Sequence, residues 1–156
     1  NAGSGFVYEM SFGNGGTSVD PTGIITYLTP NSTGTNASLY NQTYTKVVDE
    51  KSVNNTDSAR NKTEVRHVSG TNYTDILVSC LLDYGEPSGQ DAFDNATDMD
   101  GNFVFDELGL RSKSAEADAL GRLITHVIFH PIQKSLNRLI QIDYTVRIQS
   151  LSGGNA

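Results

Sequence analysis

The chain has 156 residues, of which 37% are hydrophobic and 19% charged, and its formal net charge at pH 7 is −7. This acidic balance argues against non-specific binding to nucleic acid or to an anionic membrane, because both favour an excess of lysine and arginine. The sequence has no run of about 18 apolar residues, which a membrane-spanning helix would need. The length predicts one domain, residues 1–156, with its own hydrophobic core.

Small polar residues dominate the composition, with 15 Thr, 15 Ser, 13 Asn and 15 Gly. Such residues are poor helix formers and are common in turns, while Thr is favoured in strands. The sequence therefore predicts an all-β fold, an antiparallel β-sandwich of about seven or eight short strands joined by long loops.

The first half of the chain contains five strand candidates, each bounded by Gly, Pro, Asn or Ser. They are residues 5–12, 23–29, 44–49, 63–68 and 75–82. The last of them holds the only cysteine, Cys80, within the apolar run ILVSCLL. No base or positive charge neighbours it in sequence, so we predict a buried, inert thiol rather than a nucleophile.

A long acidic loop, residues 83–102, follows these strands. No Lys or Arg occurs between Arg66 and Arg111, whereas residues 111–149 hold six basic groups and three acidic ones. Loops of about twenty residues are uncommon inside compact domains and are often functional. The loop is the candidate contact with basic surfaces of another subunit, through Asp83, Glu86, Asp91, Asp94, Asp98 and Asp100.

Residues 98–111, DMDGNFVFDELGLR, resemble a calcium loop at first sight. When Gly101 is aligned with the invariant EF-hand glycine, the first ligand position falls on Ala96, which has no carboxylate. An Asp-Gly turn leading into a strand explains the stretch better, because glycine tolerates the backbone angles of such turns. A looser calcium site formed by Asp94, Asp98 and Asp100 remains an alternative.

The clearest pattern lies near the C-terminus, where residues 140–148 alternate between apolar and polar side chains, as a half-buried strand does. Residues 122–130 are rich in β-branched residues, and Pro131 is predicted to end that strand. The two strands are predicted to form a β-hairpin with a long connection. Residues 114–122 could form one or two helical turns closed by Gly121.

Candidate catalytic and metal-binding residues are few. His126 and His130 would lie roughly 13 Å apart on a strand, which is too far to share a metal ion. The carboxylates of Asp106 and Glu107 would point to opposite faces of a strand, so they cannot act as an acid–base pair. Because no nucleophile elbow, phosphate-binding loop or dinucleotide fingerprint is present, we predict no enzyme activity, cofactor or metal.

Seven asparagines begin N-x-S/T triplets, against the two or three that a rough frequency product gives for this composition. They are Asn31, Asn36, Asn41, Asn54, Asn61, Asn72 and Asn95. The pattern keeps open a secreted, N-glycosylated binding module, although secreted domains usually contain disulfides. The first residue is Asn1 and no signal peptide follows it, which fits either a cleaved leader or a longer parent chain.

The C-terminal third resembles structural proteins of tailed bacteriophages that are associated with the tail fibre, collar or baseplate. In these, an aromatic-x-Glu-Ile-Gly-Leu strand precedes two further strands. The matching residues are Phe105, Glu107, Leu108, Gly109 and Leu110, followed by Leu123, His126, Phe129, Lys134 and the alternating residues 140–148.

This resemblance implies a non-enzymatic virion protein that forms a homo-oligomer and docks with other virion structural proteins, without nucleic acid or membrane. A head decoration (cement) protein is the nearest alternative, and a secreted glycosylated or calcium-dependent binding module is the alternative from another class. Within the motif, the carboxylate of Glu107 can accept backbone N–H groups and fix a strand end. An ion pair between Glu107 and Lys134 is a further hypothesis, against two solvated charges.

Overall fold

The computed structural model describes residues 7–31, 37–87, 104–114, 120–134 and 138–149. Within these ranges the chain forms nine β-strands. The strands are β1 (Glu9–Gly13), β2 (Thr17–Val19), β3 (Ile25–Tyr27), β4 (Gln42–Val47), β5 (Lys62–His67), β6 (Tyr73–Leu82), β7 (Val104–Arg111), β8 (Val127–Gln133) and β9 (Ile140–Gln149). No helix of the described ranges is long and apolar enough to cross a membrane.

The strands form two main antiparallel sheets and one small hairpin. The first sheet has the order β4-β1-β7-β8, the second has the order β5-β6-β9, and β2 pairs with β3. The predicted all-β, antiparallel class is confirmed. Strand β2 was missed, because its residues TSV include a single apolar side chain and lie between the GNGG run and Pro21, which indicate a loop.

The core lies between the two main sheets. The first sheet supplies Met10, Phe12, Phe105, Leu108 and Leu110. The second supplies alternate residues of β6, namely Ile76, Val78, Cys80 and Leu82. This alternation is expected when one face of a strand meets the opposing sheet. The rings of Phe12 and Phe105 lie 5.3 Å apart between centroids, which places an aromatic pair in the centre of the core.

The prediction that Pro131 ends a strand was wrong. Strand β8 begins at Val127 and continues through Pro131 to Gln133. It lies at the edge of its sheet, and its pairing with β7 is irregular, because Ile128 pairs with Glu107 but Ile132 pairs with Phe105. Pro131 therefore lies in a bulge on an edge strand, where the missing N–H group is tolerated.

The predicted hairpin between the last two strands was also wrong. Strand β8 pairs with β7 in the first sheet, whereas β9 pairs with β6 in the second. The connection between them therefore passes from one sheet to the other. The helical turns predicted for residues 114–122 fall mostly on residues outside the described ranges, as does the Asp100–Gly101 turn. The strand predicted after that turn is confirmed as β7.

Candidate functional site

Strand β7 carries most of the motif that resembles the phage proteins. Phe105 and Leu110 are buried in the core, with 2% and 0% of their surface exposed. Glu107 is also buried, although it is charged. Gly109 lies against the backbone of Thr125, which leaves no room for a side chain at this position. Strand β7 lies between β1 and β8 in its sheet, and all its residues from Phe105 to Arg111 are buried, so both of its faces are covered.

The carboxylate of Glu107 is the centre of a buried polar cluster. Its Oε2 atom accepts the backbone N–H groups of Gly15 and Asn41, each at 2.9 Å. Its Oε1 atom accepts the backbone N–H of Tyr40 at 2.8 Å and lies 2.7 Å from Nε2 of His126. We call these five residues the Glu107 cluster. The prediction that this carboxylate accepts backbone N–H groups is confirmed.

The hydrogen bonds of His126 define its tautomer. Its Nδ1 atom accepts the backbone N–H of Asn31 at 2.7 Å, so the ring proton is on Nε2 and is donated to Glu107. The ring of Tyr40 lies 5.4 Å from that of His126 between centroids. His126 therefore ties the segment after β3 to β7, and both ring nitrogens are used inside the fold.

The carboxylate of Asp106, the residue before Glu107, also accepts backbone N–H groups. Its Oδ1 atom accepts the N–H of Gly16 at 2.9 Å. Its Oδ2 atom accepts the N–H of Thr17 at 3.0 Å and the hydroxyl of Thr17 at 2.6 Å. Adjacent carboxylates on β7 thus hold three successive backbone N–H groups, from Gly15 to Thr17, at the start of β2.

The hypothesis of a Glu107–Lys134 ion pair was wrong. The two carboxylate oxygens of Glu107 are bound by the other members of the Glu107 cluster. Lys134 is fully buried, and its Nζ atom donates to the backbone carbonyl of Tyr84 at 3.3 Å. The lysine of the motif therefore contacts the segment after β6 rather than the carboxylate of β7.

The acidic loop is described only in part, because Asp91, Asp94, Asp98 and Asp100 lie outside the described residues. Asp83 is exposed, and its carboxylate accepts its neighbour's N–H. Glu86 faces inward instead: it pairs with the buried Lys46 and accepts the hydroxyl of Tyr44 at 3.2 Å. Glu86 therefore stabilises the fold, which argues against its predicted role as a contact for another subunit.

The surroundings of Glu86 affect two neighbouring groups. Burial and then the charge of Glu86 raise the pKa of the Tyr44 hydroxyl well above its ordinary value. Burial is also the main cause that raises the pKa of the Cys80 thiol from 9.0 to about 12. Cys80 is fully buried, so the predicted inert thiol agrees with its position in the core.

A labelling experiment tests this position of Cys80. At pH 8 a thiol with a pKa of about 12 holds roughly a thousandfold less thiolate than one at 9.0, and its burial also blocks access. We expect the folded chain to resist Ellman's reagent under conditions in which the guanidinium-unfolded chain reacts completely. Labelling of the folded chain at the unfolded rate would show that the two sheets separate readily.

A cleft of about 350 Å³ opens between the two sheets, where their edge strands β8 and β9 approach each other. Phe129 and Ile132 line it from β8, and Ile140 and Ile142 line it from β9. The polar side chains at the cleft are Gln141 and Asp143. This apolar opening shows that the core is incompletely covered along one side of the sandwich.

Exposed apolar side chains gather on the small β2–β3 hairpin. Val19, Ile24 and Tyr27 are 61%, 63% and 52% exposed. The hydroxyl of Tyr27 lies 3.4 Å from Nδ1 of His130. Among the described residues, no group of three or more His, Cys, Asp or Glu side chains could hold a metal ion.

Sequence reasoning missed most of the residues that complete these sites. His126 was predicted only to lie on a strand, too far from His130 to share a metal ion, and no site was predicted at the run GNGG, residues 13–16. Neither carries a sequence signal for its actual role, since both act through backbone groups or a buried ring. The comparisons with protein-family models, curated proteins and solved structures gave no match.

Proposed function

We propose that this chain is a non-enzymatic structural protein of a tailed-phage virion. It acts by docking with other virion structural proteins in a symmetric assembly at the tail, collar, baseplate or fibre attachment. The proposal rests on the resemblance of the C-terminal third to structural proteins of tailed phages. The partners of the chain would be protein surfaces rather than nucleic acid or membrane.

The observation that carries the proposal is the way the motif residues are used. Phe105 and Leu110 fill the core, Glu107 binds backbone N–H groups, and Lys134 is buried against Tyr84. A motif whose members all support the scaffold is expected of a protein that works through its shape. A motif kept for catalysis would instead present polar groups to a substrate.

Exposed surface features support docking as the mode of action. The apolar side chains of the β2–β3 hairpin and the apolar cleft at the β8 and β9 edges are both available to partners. Contiguous exposed apolar surface on a soluble domain commonly marks a protein interaction site. Because Asp83 is exposed, the start of the acidic loop is still a candidate contact with another subunit.

The glycosylated module is less well supported, because one of its acceptor sites is inside the fold. Asn61 has no exposed surface. Its Oδ1 atom accepts the N–H of Leu81 at 2.8 Å, and its Nδ2 atom donates to the carbonyl of Asp57 at 3.0 Å. A glycan on this amide nitrogen has no room inside the fold, so Asn61 could carry one only if both bonds broke and the side chain turned outward.

The test is mass spectrometry and immunogold labelling of tailed phage particles purified from the protein's natural source. We expect peptides of this chain in the particles, with gold at the tail or its attachment region. Gold on the capsid faces would favour the decoration protein instead. Absence from the particles, or an intact mass that exceeds 16.9 kDa in hexose-sized steps, would refute the proposal.

A further inference from the structure

Strand β9 is a long edge strand that lacks the usual protection against pairing. It has ten residues, and β6 pairs with it in an unbroken register from Tyr73–Gln149 to Leu82–Ile140. Within the described part of the chain, no strand pairs with its other edge. Natural edge strands are often protected by a proline, a bulge or an inward-pointing charge, and β9 contains none of these, since its two charged residues, Asp143 and Arg147, lie on the solvent-exposed face.

The exposed face of β9 has a self-complementary order of side chains. It presents Gln141, Asp143, Thr145, Arg147 and Gln149, all exposed to solvent. Thr145 is at the centre, an acid and a base lie two residues to either side, and a glutamine lies at each end. Reversing the strand about Thr145 therefore places each charge opposite its counterpart.

We propose that two copies of this chain associate through β9, antiparallel and two-fold symmetric about Thr145. The two three-stranded sheets then form one six-stranded sheet, in the order β5-β6-β9-β9-β6-β5. Thr145 faces Thr145 of the second copy, and Asp143 faces Arg147 of the second copy, twice by symmetry. Such an interface is isologous, so it closes at two subunits.

The inward face of β9 agrees with the same register. It carries Ile142, Tyr144, Val146 and Ile148, which are apolar or aromatic but incompletely buried. In the dimer Ile142 faces Ile148 of the second copy, and Tyr144 faces Val146. Ile148 is 48% exposed in the single chain, and the pairing covers it. Since Ile142 lines the apolar cleft, the second copy also covers part of that opening.

Other antiparallel registers of β9 do not pair the charges. A shift of four residues in one direction sets Asp143 opposite Asp143, and the same shift in the other direction sets Arg147 opposite Arg147. Like charges directly opposite each other destabilise a strand pair, while unlike charges stabilise it. A shift of two leaves each charge opposite a neutral residue. The charge pattern therefore selects the register centred on Thr145.

The side chain of Arg147 has donors left for a partner. Its Nε and Nη2 atoms donate to the two carboxylate oxygens of Asp75 at 2.8 and 3.0 Å. A guanidinium has five N–H groups, so the Nη1 protons can be donated to Asp143 of the second copy. Arg147 is already aligned by Asp75 and by its position 3.9 Å from the ring centroid of Tyr73.

Two other edge strands, β5 and β8, are less suited to self-pairing than β9. In β8 the register is broken by the bulge that contains Pro131. Strand β5 has six residues against ten in β9: pairing about Glu64 would oppose two glutamates, and pairing about Val65 would set Glu64 opposite Arg66 but would align only residues 63–67. Of these three edges, β9 offers a second copy the longest unbroken pairing with its charges matched.

Two charge-reversal variants test the interface. Asp143→Arg presents two arginines and Arg147→Glu presents two acids, so each variant alone faces like charges and should raise the dimer dissociation constant at least roughly tenfold. Mixed in equal amounts, the two variants have complementary strands and should form a heterodimer. Light scattering after size exclusion would show twice the 16.9 kDa chain mass for the wild type and for the mixture.

A monomeric wild type at the highest soluble concentration would overturn the proposal. So would an Asp143→Arg variant that dimerises like the wild type, or a mixture of two folded variants that stays monomeric. Thermal melts of each variant confirm folding.

Single cysteines test the register without changing a charge. Across an antiparallel pair, facing Cα atoms are about 4.5–5.5 Å apart, within the range that a disulfide spans. Thr145→Cys should therefore form a covalent dimer on mild oxidation. Gln149→Cys is the matched control, because its two copies would lie more than about 25 Å apart. Equal crosslinking of both variants, or none at position 145, would overturn the register.

This inference deepens the docking role and rests on the proposed function for its biological meaning. The two can fail separately, because the dimer is measured on the purified chain and the virion role on phage particles. A dimer that is absent from particles refutes only the proposed function. A monomer that is present in particles refutes only the interface.

Discussion

Replacing Glu107 with alanine is expected to lower the free energy of unfolding by about 4 kcal/mol or more. The substitution removes the acceptor of the N–H groups of Gly15, Tyr40 and Asn41 and the partner of His126. Each buried donor left without an acceptor costs about 1–3 kcal/mol. Domains of this size are stable by about 5–15 kcal/mol, so the variant should be close to unfolded.

Two further variants make the result interpretable. Glu107→Gln keeps the shape and one acceptor oxygen, and we expect roughly half the loss. Glu64→Ala removes an exposed carboxylate on β5 and should change stability by less than about 0.5 kcal/mol. Urea unfolding followed by circular dichroism measures all three. A Glu107→Ala variant within about 1 kcal/mol of the wild type would show that water replaces the carboxylate without loss.

Replacing Gly109 with alanine is expected to lower the free energy of unfolding by about 2–4 kcal/mol. A Cβ atom at this position would lie 2.4 Å from the carbonyl oxygen of Thr125 and 2.6 Å from Cδ1 of Leu123. The leucine side chain can move, but the backbone carbonyl can do so only if the segment before β8 shifts. Overpacking of this kind typically costs 1–3 kcal/mol, and a displaced backbone adds to it.

Gly85→Ala is the matched control for Gly109. No atom lies within 4 Å of a Cβ atom built at Gly85. We therefore expect no loss of stability there, or a small gain from the restricted unfolded chain. Differential scanning calorimetry gives both melting temperatures. If the Gly109→Ala and Gly85→Ala variants have the same melting temperature, the segment before β8 is less closely packed than its contacts indicate.

The sequence predicts where the strands lie better than it predicts which strands pair with each other. The alternation in β9 and the apolar run of β6 identify both strands, because a side-chain period of two is a local property. Pairing is not local: Ile142 of β9 faces Cys80 of β6, far upstream in the chain. The hairpin between β8 and β9 was predicted from their closeness in sequence. It fails because the two strands belong to opposing sheets.

The Glu107 cluster shows why the site could be predicted only in part. The prediction that the carboxylate of Glu107 accepts backbone N–H groups was right, but its burial was not predicted. Its partners are backbone N–H groups 92, 67 and 66 residues away, and backbone groups leave no signature in a sequence. Lys134 was chosen because its charge is visible in the sequence, whereas the neutral donors are not.

The long separations within the Glu107 cluster also have a kinetic consequence. Its hydrogen bonds join segments from before β2, before β4 and before β8 to β7, so these loops must close before the carboxylate gains its partners. Interactions that form late affect unfolding more than folding. The cluster is therefore expected to slow the unfolding of the folded chain and to have little effect on its folding rate. Stopped-flow measurements on Glu107→Gln should show faster unfolding with little change in the refolding rate.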